Sequence, residues 1–173
     1  MMRTITIGKK EIVLKEEWIV GFVTTWIVGL LAHAYRFFNF LPIWDSIYNF
    51  TGVGSTYTLG RWFLGYAGLI TSMFDLPWVN GAFSLFYINI VVILLTEIFE
   101  IKNKGMIVLG AAIFVSFPTV VSSFAYMYTA DAYLLAFLLA TLAVYLTWRV
   151  KKWGMPTGIV CLAFAMGIYQ AYA

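Results

Sequence analysis

The sequence predicts an all-α, polytopic integral membrane protein, a helical bundle of about five transmembrane helices with an interfacial helix in the first outer loop. Three observations predict it. Of 173 residues, 62% are hydrophobic and only 11% charged, where a soluble domain would be roughly half apolar with about a quarter of its residues charged. Mean hydropathy is +0.88, and the apolar runs are long and continuous, without the alternation of a membrane barrel. The charges lie at the margins of those runs. Aromatic residues make up 19%, which suits interfacial belts and a sugar-binding cleft alike.

Residues 1–17 form a separate, charged segment, with Arg3, Lys9, Lys10 and Lys15 set against Glu11, Glu16 and Glu17. It reads as cytoplasmic, a short amphipathic helix or strand on the membrane surface. No small-residue cleavage pattern follows, so the first span is expected to stay as an anchor. The transmembrane domain then covers 18–173, with an outer-face loop over 36–80. Its first span, about 18–35, opens at Trp18 and closes at Tyr35.

Within the loop, GVGST (52–56) is turn material. Residues 61–74, RWFLGYAGLITSMF, rise about 21 Å as a helix, too short to cross a core of roughly 30 Å. Their pattern is two-faced, which suits a helix in the interface or one packed on the bundle. Further spans follow at about 81–99, 105–123, 131–148 and from 155 to about 170. Pro118 bends the 105–123 span, the third in the chain, or ends it early.

Charge chooses between two topologies. If 61–74 does not cross, nine of the eleven basic residues face the cytoplasm, as the positive-inside rule prefers. The remaining two, Arg36 and Arg61, then flank Asp45 on the outer face. The net charge of +3 is no sign of nucleic-acid binding, because the basic residues border apolar spans and form no single patch. Cys161 has no disulfide partner and reads as packing. His33 is the lone histidine, so a histidine-based metal site is unsupported and no cofactor is expected.

The outer face therefore holds the candidate chemistry. Asp45, beside Trp44 and Tyr48, suits a general base toward a hydroxyl acceptor, with a loop acid or helix cap as the plainer role. Arg36 and Arg61 have the paired donors that suit a phosphate, and interfacial snorkelling is the alternative. Trp62 supplies a ring for a substrate. His33 shares a helix face with Arg36 and reads first as a packed residue, second as a donor to a lipid phosphate or to Asp45. Asp131 opens the fourth span as a cap, or serves as a second catalytic or sugar-binding acid. Tyr169 and Gln170 reach the same face, for helix packing or substrate contact.

Four stretches in order, HAYRFFNFLPIWDS (33–46), LGRWFLG (59–65), TADAY (129–133) and GIYQAY (167–172), resemble the Gtr type II glucosyltransferases of O-antigen modification, within the GT-C superfamily. GRW is the most specific piece. The resemblance implies a bacterial plasma-membrane enzyme that takes a sugar, glucose by family, from a polyprenyl-phosphate carrier on the extracytoplasmic face. It passes the sugar, typically with inversion, to a cell-envelope glycan acceptor, with membrane lipids around it and no nucleotide sugar. The catalytic acid of the first outer loop maps to Asp45. Family members often pair acids there, whereas Ser46 follows Asp45 here. They also have many more spans, so the chain reads as an amino-terminal half. A carrier or flippase subunit and a membrane assembly protein are the competing readings. A flippase calls for polar residues along the spans at midplane, and these spans look almost entirely apolar there.

Overall fold

The computed structural model describes residues 2–7, 10–48, 59–71 and 74–172. The GVGST turn, Asn49, Ser55, Ser72 and Met73 lie outside the described residues. The chain opens on two antiparallel strands, β1 (Met2–Ile7) and β2 (Lys10–Lys15), paired from Met2↔Lys15 to Ile7↔Lys10. Strand thus wins over helix in this segment, as its β-branched Thr-Ile-Thr-Ile run favours.

Among the described residues that follow, every regular element is helical. α1 (Glu16–Phe38) carries Glu16 and Glu17 in its first turn and Arg36 in its last, each complementing the helix dipole. Its buried stripe is Gly21, Thr25, Gly29, His33 and Phe37, one residue per turn. The small members let α4 (Pro77–Ile98) and α5 (Lys104–Val115) approach closely. A Cβ on Gly29 would stand 2.5 Å from Leu85 Cδ2. The opposite face, with Phe22, Ile27 and Leu31, is exposed and suits lipid.

α4 (Pro77–Ile98) is the central helix, entered through Pro77 at its first turn and packed between α1 and α7. α7 (Met127–Arg149) and α8 (Gly154–Ile168) form the tightest pair, and α5 (Lys104–Val115) lies against α1. The order across the bundle is α5, α1, α4, α7, α8. One apolar core joins Phe37, Leu85, Ile88, Phe124 and Met127, and a second joins Leu64, Ala132, Tyr133, Ala165 and Ile168.

Among the described residues, three stretches are long and apolar enough to cross a membrane: Glu16–Phe38, Pro77–Ile98 and the run Lys104–Arg149. The run breaks at Ser116 and Phe117, where Pro118 opens the six-residue α6 (Pro118–Ser123). Pro118 therefore ends the third span early. α5 has 12 residues and α8 has 15, shorter than the spans expected there.

Helix direction is set by the ends that meet. Lys15 Nζ bonds both Glu97 oxygens at 2.7 Å, and Lys104 pairs with Glu16. The start of α1, the end of α4 and the start of α5 therefore share one end of the bundle. At the other end, Arg36 near the end of α1 meets Asp75 just before α4. The segment between these two begins and ends on the same side.

The expected 14-residue helix at 61–74 is largely absent. α3 (Leu64–Ala67) is one turn, continued by a 3-10 turn at Gly68–Ile70. Leu64, Ala67, Gly68 and Thr71 face inward onto α7 and α8, while Trp62, Tyr66, Leu69 and Ile70 face out. Three glycines within nine residues give this stretch little helix propensity, and packing on the bundle decides its course.

Candidate functional site

The four stretches singled out in the sequence meet at this end of the bundle. The closest engagement is between 59–63 and 167–170. Gly60 adopts φ +76°, open to glycine without strain. A Cβ there would also sit 2.8 Å from Gln170 Nε2, which donates to the Leu59 carbonyl at 3.1 Å. Phe63 N–H donates to the Gly167 carbonyl at 2.7 Å. The Trp62 indole lies so close to Gly167 that a Cβ would approach it to 2.5 Å. Trp62 itself is 44% exposed, so one edge of its ring packs while the rest is open.

Between those two residues stands Arg61. Its guanidinium carbon sits 4.5 Å from the centre of the Tyr169 ring, and Nη1 donates to the Tyr133 hydroxyl at 3.4 Å. The rings of Tyr133 and Tyr169 are themselves 4.8 Å apart. Arg61 Nε is buried with no hydrogen-bond partner among the described residues. Two tyrosines thus orient the cation without neutralising it, and one N–H is unused.

Asp45 lies in the first turn of α2 (Trp44–Tyr48) and is exposed. Ser46, where a second acid is often found, is buried and donates its hydroxyl to the Ile43 carbonyl at 2.8 Å. That serine shapes the turn that presents Asp45. Asp45 and Arg61 both fall within electrostatic range of the Tyr128 phenol on α7.

Asp131 is not a helix cap, and that expectation is corrected. α7 begins at Met127, so Asp131 stands in its second turn, 1% exposed. Its carboxylate accepts from Thr71 Oγ1 at 3.0 Å and Asn80 Nδ2 at 3.4 Å. Asn80 Oδ1 in turn accepts from Leu76 N–H. Asp131 therefore ties the segment after α3 and the start of α4 to α7. A carboxylate placed inside an apolar helix needs such partners.

Arg36 donates through Nε to the Phe124 carbonyl at 2.9 Å and through Nη2 to that of Ala125 at 3.4 Å. It faces Asp75 at 3.6 Å, and its Nη1 is buried without a hydrogen bond among the described residues. Asp75 has a side chain only 3% exposed. Burial lifts its carboxyl above the usual carboxylate range, with Arg36 pulling the other way. Two polar residues, Asp75 and Asn80, were thus missed as structural elements. The signal was their position, polar side chains flanking the Pro77 helix start.

His33 is buried and bonds the Val115 carbonyl at 2.9 Å, with the Phe124 ring 4.4 Å away. A carbonyl only accepts, so Nε2 carries the proton. Val115 closes α5, and its carbonyl has lost its helical donor because the helix stops there. His33 is therefore a packed residue that caps the Pro118 break.

At midplane the interior is less apolar than the sequence suggests. Asn89 on α4 donates to the Phe22 carbonyl of α1 at 3.1 Å, and Thr25 and Ser84 are also buried. Asn89 joins two helices, the usual work of a buried amide in a membrane bundle.

A bundle of membrane-spanning helices that gathers an exposed carboxylate and a tyrosine-held arginine at one end defines an integral membrane protein with a polar surface site. The chain belongs to the Glucosyl transferase GtrII family, whose model matches residues 34–173, and is therefore a member of a membrane glucosyltransferase family. The match includes Arg36, Asp45, Arg61, Asp131 and Tyr169. No curated protein and no solved structure matches the chain.

Proposed function

We propose that the protein transfers a sugar, glucose by family, from a polyprenyl-phosphate carrier to a cell-envelope glycan on the extracytoplasmic face of a bacterial plasma membrane. The observation that carries this reading is Arg61: a half-buried guanidinium held by Tyr133 and Tyr169, with Nε unspent. A cation held by neutral groups keeps its charge for a phosphate, and its planar fork matches two phosphate oxygens.

Asp45 is the base in this reading. An acceptor hydroxyl loses its proton to the carboxylate as its oxygen bonds to the sugar C1. The C1–O bond to the carrier phosphate breaks, and Arg61 meets the negative charge that the phosphate gains. Trp62, 44% exposed, offers a ring face to the sugar. Asp131 and Arg36 position these elements, and Gln170 holds the GRW bend in place through the Leu59 carbonyl.

The test uses the full-length protein with a polyprenyl-phosphate sugar and acceptor glycan. Asp45→Asn keeps size and hydrogen bonding but removes the base, so turnover should fall about 10²- to 10⁴-fold while donor binding survives. Arg61→Ala should weaken donor binding, and Arg61→Lys should restore it only in part. Near-normal turnover by Asp45→Asn rejects the base, and unchanged donor binding in both Arg61 variants rejects the phosphate contact. The orientation is tested by impermeant cysteine labelling. Lys102→Cys and Lys151→Cys should be protected from outside, and labelling of either overturns it.

A further inference from the structure

The opposite end of the bundle holds a cavity of about 410 Å³ that the transfer reaction does not use. Lys15, Glu17, Glu97, Glu100, Lys102 and Arg149 line it, at the level where α1 begins and α4 and α7 end. These charges are not equivalent. Lys15 bonds both oxygens of Glu97, and Trp18 Nε1 donates to the same carboxylate at 2.7 Å. That pair forms a saturated wall. Glu17, Glu100, Lys102 and Arg149 have no hydrogen bond or ion pair among the described residues. The open charges, two acids and two bases, therefore sum to zero.

Glu100 adds an independent observation. α4 ends in a Schellman motif, with Ile101 N–H on the Thr96 carbonyl and Glu100 N–H on that of Glu97. The motif puts its residue in the left-handed region, where glycine is usual. Here a glutamate takes it, at φ +51°. A carboxylate is kept at a position where any side chain is strained, and it lines the cavity.

We propose that this cavity holds the headgroup of a zwitterionic phospholipid bearing a primary ammonium, the phosphate on Arg149 and Lys102 and the ammonium between Glu17 and Glu100. A purely anionic headgroup would leave the two acids facing it, and like charges disfavour it. A quaternary ammonium would satisfy the charge but donate no hydrogen bond to either carboxylate. Both helix ends at the cavity lie where headgroups lie, since the helices they close have membrane length.

The experiment is native mass spectrometry of the full chain released from micelles doped equally with phosphatidylethanolamine, phosphatidylcholine and phosphatidylglycerol. The wild type should retain phosphatidylethanolamine roughly ten- to a hundredfold over phosphatidylcholine, the scale of one charge-assisted hydrogen bond. Glu100→Gly relieves the left-handed strain, so it should fold at least as stably, yet bring that ratio to about one. Arg149→Gln should lower retention of all three lipids, and Lys151→Gln, outside the cavity, should leave retention unchanged. Preferred retention of phosphatidylglycerol, an unchanged ratio in Glu100→Gly, or an equal effect of Lys151→Gln overturns the proposal. The readout is lipid retention, so it stands or falls apart from the transfer reaction.

Discussion

The two ends of the bundle treat charge in opposite ways. At the end holding the cavity, the charges that join one element to another meet charges: Lys15 with Glu97, and Lys104 with Glu16, all partly exposed. At the end holding Asp45, charges are met mainly by neutral groups. Arg61 has a tyrosine ring and a hydroxyl, Asp131 has a threonine and an asparagine, and Arg36 has two backbone carbonyls beside Asp75. An ion pair cancels its own field, whereas neutral donors fix a charge in place and leave the field to act on a ligand. The first arrangement fastens helices, and the second leaves a positioned charge uncancelled.

The comparison is broken most severely at Asp131. Asp131→Ala would leave Thr71 Oγ1 and Asn80 Nδ2 buried without their acceptor, at about 1 to 3 kcal/mol for each. We expect a large fall in the melting temperature of the detergent-solubilised protein, and loss of activity with it. Asp131→Asn retains one acceptor and should recover part of the stability. Equal melting of Asp131→Ala and the parent would show that this carboxylate does not hold the two helices together.

Gly167→Val comes next. Its first atom would meet the Trp62 indole at 2.5 Å, and overpacking of this kind costs about 1 to 3 kcal/mol. Because the clash separates 59–63 from 167–170, donor binding should suffer more than melting. The reverse order would place the importance of this contact in folding alone.

A smaller effect is expected at the other end. Glu97→Gln removes one partner of an ion pair with Lys15, whose side chain is 39% exposed. Pairs of this kind contribute about 1 kcal/mol or less. Melting should shift slightly, less so at high salt, while donor binding stays constant. A change in donor binding would mean that the two ends are coupled.

The last effect is a pH dependence. Burial raises the Asp75 carboxyl above its ordinary 3.8 despite Arg36, so the folded protein holds that proton more tightly than the unfolded chain. The resulting stability is fully present below 3.8 and is lost as pH rises through the raised folded value. Melting followed upward from that point should show a decline that Asp75→Asn flattens. An increase over the same window would mean that the Arg36 charge outweighs burial.

The sequence alone determined the class of the protein and which stretches meet at one end of the bundle. Long apolar runs leave no alternative to membrane helices, because unsatisfied backbone groups are not tolerated in lipid. GRW, TADAY and GIYQ stand out because glycine, charge and aromatic residues seldom coincide in such a chain, and the three stretches contact one another. Pro118 likewise announced a break that the backbone obeys. What only the tertiary structure decided is which polar residue meets which. Asp131 looked like a cap because helix starts shift by a turn without altering the apolar pattern, and its true partners Thr71 and Asn80 lie 60 and 51 residues away. Residues 61–74 looked like a helix because local periodicity cannot register that packing on α7 and α8 bends the chain after one turn. Arg36 and Arg61 each read from sequence as suited to a phosphate, with snorkelling as the alternative. One is bound to backbone carbonyls beside a buried acid, and the other is held with a free N–H, a difference set by helices distant in the chain.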